Sequence, residues 1–110
     1  MEYSLERGDG AIIVRVCGRV DESSWEAFGA GLSEAIEQAR DGGTSNLVID
    51  LGALDYMSSR GLRALTVAKR QADEGGIAIS LASPNEVMRE ILAISRYDKL
   101  FTIIEIEVKP

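Results

Sequence analysis

The chain has 110 residues, with 12 Lys plus Arg against 18 Asp plus Glu, one cysteine and no histidine, for a formal net charge of −6. Without histidine there is no Ser-His-Asp or Cys-His triad, no His-ligated zinc or copper and no imidazole acid or base working near neutrality. A lone Cys17 forms no internal disulfide and no multi-thiolate metal site, so no metal or cofactor is expected, and the acidic balance argues against nucleic acid as a ligand.

The length suits one domain over residues 1–110 with one hydrophobic core, and the 45% hydrophobic content suits an ordered globule. No segment approaches the roughly 18 uninterrupted apolar residues of a membrane helix, and Met1 is followed by Glu2 and Tyr3, unlike a signal peptide. A soluble, cytoplasmic protein with no membrane partner, monomeric when free, is expected.

In chain order, Tyr3 to Leu5 and Ala11 to Cys17 flank Gly8-Asp9-Gly10 and read as a β-hairpin, with Gly18 marking a break. From Ser23 the period changes: Trp25, Phe28, Leu32, Ile36 and Ala39 recur at helical spacing. Asp21 or Ser23 is placed to cap that helix, with Ser23-Ser24-Trp25-Glu26 fitting a capping box, and Gly42-Gly43 ends it. Gly29 and Gly31 inside it point to a closely pressed neighbour. Asn46 to Leu51 is a strand, followed by a loop through Asp55 and a helix from about Ser59 to Asp73 that buries Leu62, Leu65 and Ala68 or Ala72. Ile77 to Ala82 is a strand, Ser83-Pro84 opens a helix through about Ile94, with Pro84 in its first turn, and Phe101 to Val108 is a last strand.

Strands separated by helices imply parallel pairing through right-handed crossovers. Their alternation, as in Leu47, Ile49 and Leu51 against Val48 and Asp50, implies burial of one face. The expected fold is therefore α/β: an N-terminal hairpin leading into a mostly parallel sheet with β-α crossovers, helices mainly on one face and the other face small, polar and partly open. Cys17 is expected to be half-buried, and Trp25, Phe28 and Met57 to serve packing.

P-loop and dinucleotide fingerprints are absent. Carboxylate pairs such as Glu34/Glu37 and Glu105/Glu107 have the spacing of solvated faces. The segment that stands out is Leu51-Gly52-Ala53-Leu54-Asp55-Tyr56-Met57-Ser58-Ser59-Arg60-Gly61-Leu62, which places two adjacent hydroxyls where a strand meets a helix, the usual ligand edge of an open α/β sheet. Either Ser58 or Ser59 caps the helix, or one is a phosphoacceptor at a helix end whose dipole favours anions; one serine can cap while the other is modified. Arg60, Arg63 and Arg70 share a helical stripe with Val67 between them, either an ordinary exposed face or a contact for an acidic patch on a partner.

The segment resembles the signature of STAS domains, specifically the bacterial anti-sigma factor antagonists. Tyr56-Met57 match its aromatic-aliphatic pair, Ser58 its Asp or Ser, Ser59 its phosphorylated serine and Gly61-Leu62 its helix start. Gly18-Arg19-Val20-Asp21 looks like the family's Gly-Glu-Leu-Asp, and Tyr97-Asp98-Lys99-Leu100-Phe101 its closing Leu-Asp-Lys-Leu-Phe. Two residues depart: Arg60 replaces a small residue, and Arg96 stands where many members have Gly.

The resemblance implies a non-enzymatic partner switch. The unmodified domain binds an anti-sigma factor that is also a Ser/Thr kinase, phosphorylation of Ser59 releases it, and a PP2C-type, metal-dependent phosphatase resets the domain. Asp21, Ser58, Arg60, Gly61, Arg63, Val67 and Arg70 are the expected partner-binding residues. Family analogy places Asp21 near the phosphorylated serine, within reach of its hydroxyl, whereas its local chemistry makes it a helix cap. For Arg60 three roles stand open: touching the phosphate, helping a kinase dock, or marking lost regulation. The competing expectations are a small-ligand or nucleotide sensor with its pocket at the open sheet edge, and a structural subunit in which Ser59 only caps.

Overall fold

The computed structural model describes residues 1–8 and 10–106. Strand β1 (Glu2–Gly8) pairs antiparallel with β2 (Ala11–Val20), bringing Gly8 opposite Ala11. This is the expected hairpin. Gly10 accepts the φ of 75° that so short a connection needs, while Asp9 lies outside the described residues. Three further strands add in parallel, β3 (Asn46–Met57), β4 (Ala78–Ala82) and β5 (Thr102–Ile104), in the spatial order β1-β2-β3-β4-β5.

Alternation decides the layers. Ile12, Val14 and Val16 of β2 and Leu47, Ile49 and Leu51 of β3 are buried in one cluster with Phe28, Leu32 and Ile36 of α1 (Trp25–Asp41), Leu65, Ala68 and Ala72 of α2 (Ser59–Glu74), and Met88 and Leu92 of α3 (Glu86–Ile94). Each fully buried Val, Leu, Ile, Phe or Met among them contributes about 2 kcal/mol through the apolar area it removes from water. The opposite parity is open: Arg15 is exposed and sits 3.5 Å from Asp50, its register partner on β3, while also pairing with Glu6. Cys17 shares that parity and is exposed, not half-buried, because no helix covers this face of β2.

Several boundaries differ from the sequence expectation. β3 runs on to Met57, where a loop after Leu51 was expected, and β2 continues through Gly18 to Val20. The pairing survives by shifting register between Arg15 and Cys17 and again between Gly18 and Arg19; Gly18, at φ 90°, is the irregular residue of a continuing strand and not its end. Pro84 precedes α3, whose cap is Asn85: its side chain accepts from the Met88 N–H at 2.9 Å and donates to the Leu54 carbonyl at 2.8 Å, tying the helix to β3. Gly31 does press on a neighbour, since a Cβ there would lie 2.8 Å from the Tyr3 ring, but Gly29 makes only ordinary contact with Ala64. Of the expected last strand, β5 covers Thr102–Ile104, and residues 107–108 lie outside the described residues.

A short helix, α4 (Tyr97–Leu100), escaped the sequence reading and follows directly on Arg96 at φ 65°. This left-handed conformation costs a non-glycine residue roughly 1–2 kcal/mol, whereas glycine adopts it freely. Arg96→Gly should stabilise the domain by about 1 kcal/mol, raising the thermal midpoint by about 4 °C in calorimetry. An unchanged or lowered midpoint would show that the Arg96 side chain offsets its backbone strain.

Candidate functional site

The two adjacent serines divide their work. Ser58 sits between β3 and α2, where its N–H donates to the Val20 carbonyl at 2.8 Å and so joins the ends of β2 and β3. Its hydroxyl accepts from the Gly61 N–H at 3.3 Å, capping α2 in the way serine does at a helix start. Ser58 is only 9% exposed. Gly61 seats the first turn in the crevice between the two strands, since a Cβ there would lie 2.6 Å from Met57 Cγ and 2.7 Å from Val20 Cγ1. Ser59, the first residue of α2, is consequently turned outward and exposed, and its hydroxyl has no hydrogen-bond partner among the described residues. Capping is the task of Ser58, which leaves the Ser59 oxygen available for chemistry.

A groove of ≈ 570 Å³ opens beside Ser59, lined by Glu22, Trp25, Ser59, Arg60, Arg63, Ala64 and Val67. It continues between α1 and α2 over Gly29, Ala30 and Ser33. The concavity beside the serines thus lies between two helices rather than at the sheet edge expected for a sensor pocket. Arg60 is already engaged: its Nε lies 3.3 Å from Glu22 Oε2 and its guanidinium 5.5 Å over the Trp25 ring. Arg63 is exposed and forms no ion pair among the described residues. Val67 is 51% exposed on the groove wall. Arg70 lies beyond the groove and lines a shallower depression with Thr66 and Leu100. The structure therefore brings Ser59, Arg60, Arg63 and Val67 together and sets Arg70 apart.

Asp21 is occupied by its own loop. Its carboxylate accepts from the Ser23 N–H at 3.0 Å, the Ser23 hydroxyl at 2.8 Å and the Ser24 hydroxyl at 3.1 Å, and has no bond to Ser59 among the described residues. The Ser24 hydroxyl accepts from the Asp21 N–H at 2.9 Å and shares its proton with the Arg19 carbonyl. These bonds close the turn that leads into α1, but the capping box expected of Ser23 and Glu26 is not formed: the N-cap is Ser24, which makes no side-chain cap bond, and its N–H donates to the Asp21 backbone carbonyl at 3.1 Å. The hydroxyl and then the N–H of Ser23 hold the Asp21 carboxyl below its ordinary value. A carboxyl with a lowered folded pKa stabilises above the unfolded value of about 3.9, and that contribution fades as pH falls through the folded value. Asp21→Asn should accordingly flatten the loss of stability in urea titrations below about pH 4, while an acid limb as steep as wild type would show that these bonds are not retained in solution.

Sequence reasoning missed three contributors. Trp25, with the helical spacing of a packing residue, is half-buried and lines the groove. Glu22 holds Arg60, and Arg19 lies 4.7 Å over the Tyr56 ring, its register partner on β3. The available signal was Arg19 itself, a cation where the resembled pattern carries Glu.

The STAS domain pattern matches residues 2–108. The chain belongs to the STAS domain family. A protein of Bordetella bronchiseptica that bears the name "Putative anti-sigma factor antagonist BtrV" is 29% identical over 103 residues, covering 94% of this chain and 85% of that one. Among solved structures, the anti-sigma factor antagonist SpoIIAA in its unphosphorylated form superposes with a TM-score of 0.78 at 20% identity, over 96% of this chain and 89% of that one. The phosphorylated form of the Bacillus cell fate determinant SpoIIAA gives 0.70, also at 20% identity, over 96% and 92%. These structural likenesses establish a STAS fold, with a five-stranded mixed sheet that is mostly parallel. No described helix is long and apolar enough to cross a membrane.

Proposed function

We propose that this STAS domain is a single-domain anti-sigma factor antagonist acting by partner switching in the cytoplasm. The unmodified chain binds an anti-sigma factor that is also a Ser/Thr kinase. The kinase transfers the γ-phosphoryl of ATP to Ser59 Oγ, leaving ADP, and the phosphorylated chain lets go. A metal-dependent phosphatase of the PP2C type then hydrolyses the phosphoserine and resets the domain.

The observation that carries this reading is the division of the serines, one buried and capping, its neighbour exposed and free of structural duty. A chain without histidine fits the substrate's side of such a reaction, because the kinase and phosphatase supply the catalytic groups. The names of BtrV and SpoIIAA, the latter solved in both phosphorylation states, point the same way.

The kinase captured by the Ser59→Ala form from the native cell, incubated with wild-type chain and ATP, should add one phosphoryl group at Ser59. Mass spectrometry finding none, or finding it only on Ser58, overturns the assignment. The groove keeps a second reading in play, since arginines beside an indole suit an anionic aromatic ligand such as a nucleotide. Micromolar ATP or GTP binding by the isolated domain in calorimetry, lost in Arg63→Glu, would favour it.

A further inference from the structure

Two arginines border Ser59, and the geometry points to only one of them as the receiver of a phosphoryl group placed there. We infer that Arg63, and not the adjacent Arg60, binds the phosphate of phosphoserine at position 59. This deepens the partner-switch reading and rests on it for its biological use.

The argument begins with helix geometry. Ser59 and Arg63 are four residues apart on α2, the spacing at which two side chains meet along a helix; Arg60 lines the same groove but is adjacent in sequence, a spacing at which side chains do not face each other. In the pair the anion is N-terminal to the cation, the more favourable order. Availability separates the two arginines further. Arg60 is held by Glu22 at 3.3 Å and by the face of Trp25, so reaching a phosphate means giving up both contacts. Arg63 has no ion pair to give up among the described residues, and its exposed side chain can present a guanidinium fork to two phosphate oxygens. Arg60 then keeps its place across the mouth of α1.

The consequence is a double change at one surface. In the unmodified chain Arg63, without an ion pair among the described residues, stands on the groove wall, open to a carboxylate of a partner. Once Ser59 carries a dianion, that cation turns to the phosphate. The groove gains negative charge and loses positive charge in the same step, with no rearrangement of the backbone. Arg63 is thus the residue through which the phosphorylation state reaches the partner's acidic groups.

The test needs no kinase. Phosphoserine is installed at position 59 during synthesis of the full chain, and its second ionisation is followed by phosphorus NMR. In the wild-type background that pKa should lie below its ordinary value of about 6, and Arg63→Gln should raise it by about half a pH unit. Arg63→Lys should keep most of the depression, and Arg60→Gln should move it by less than half as much as Arg63→Gln. Circular dichroism of the unmodified variants checks that each is folded. An Arg63→Gln value equal to wild type, or a larger rise in Arg60→Gln, overturns the inference. Because the phosphate is placed chemically, this result stands apart from whether a kinase uses Ser59, which the mass-spectrometric experiment decides.

Discussion

Phosphorylation of Ser59 should weaken binding to the proposed anti-sigma factor kinase about 100-fold, and Ser59→Asp, with roughly half the charge, about tenfold. Ser59→Ala should bind like wild type. The reason is the position of the residue: its exposed side chain stands at the mouth of the α1–α2 groove, so a partner covering that groove must desolvate whatever the oxygen carries. A neutral hydroxyl is cheap to cover, whereas a dianion is not, and about 3 kcal/mol of penalty is enough for the stated loss. Titration calorimetry with the captured kinase measures all three forms. Equal affinities would leave Ser59 as an ordinary surface residue and favour a structural interaction subunit. Thermal stability separates the two serines in the same experiment: Ser58→Ala should lose about 1 kcal/mol with its cap, and Ser59→Asp should lose nothing, because an acid in the first helical turn interacts favourably with the dipole.

The largest stability effect is expected at Gly61. Gly61→Val should destabilise the domain by about 3 kcal/mol and Gly61→Ala by about 2 kcal/mol, read as falling urea midpoints at constant slope. The Cβ of either variant would lie well inside contact distance of Met57 Cγ and Val20 Cγ1, and both of those side chains are buried, so the helix start must lift or the strand ends must part. Either movement pulls Ser58 from the Gly61 N–H and changes the exposure of Ser59. Gly29→Ala is the internal control, for it too replaces a helical glycine. Its Cβ would meet only Ala64 at 3.7 Å, so helix propensity should dominate and stabilise by up to about 1 kcal/mol. If Gly61→Ala were as benign as Gly29→Ala, the tight seat of α2 would not exist in solution.

Much of this architecture could be read from local chemistry. The 3.6-residue recurrence from Trp25 to Ala39 produced α1, the Gly42-Gly43 pair marked its end, and the alternation of Leu47, Ile49 and Leu51 produced the core of β3. Resemblance in the segment around Ser59 then led to the STAS family, which the match over residues 2–108 bears out. Reading failed where a partner distant in the chain decides the outcome. Gly52 and Ala53 look like a loop after Leu51, yet bulged pairing with β2 carries the strand to Met57. Pro84 suits the first turn of α3, yet the bond from Asn85 to the Leu54 carbonyl makes Asn85 the cap, so the helix begins at Glu86, two residues beyond Pro84.

By itself the sequence determined the order of elements, the sidedness of the sheet and the presence of two hydroxyls at a strand-to-helix junction, since each follows from residue type and short-range period. It could not choose between the hydroxyls, because serine is an equally good cap at either position. Tertiary structure made that choice by packing Gly61 between Val20 and Met57 and binding the Ser58 N–H to the Val20 carbonyl, which buries Ser58 and turns Ser59 outward. It likewise sorted three arginines of one helical stripe into different settings, with Arg60 held by Glu22 and Trp25, Arg63 open in the groove and Arg70 beyond it. The charge on a residue is local information, but whether that charge is already spent depends on what the fold sets beside it.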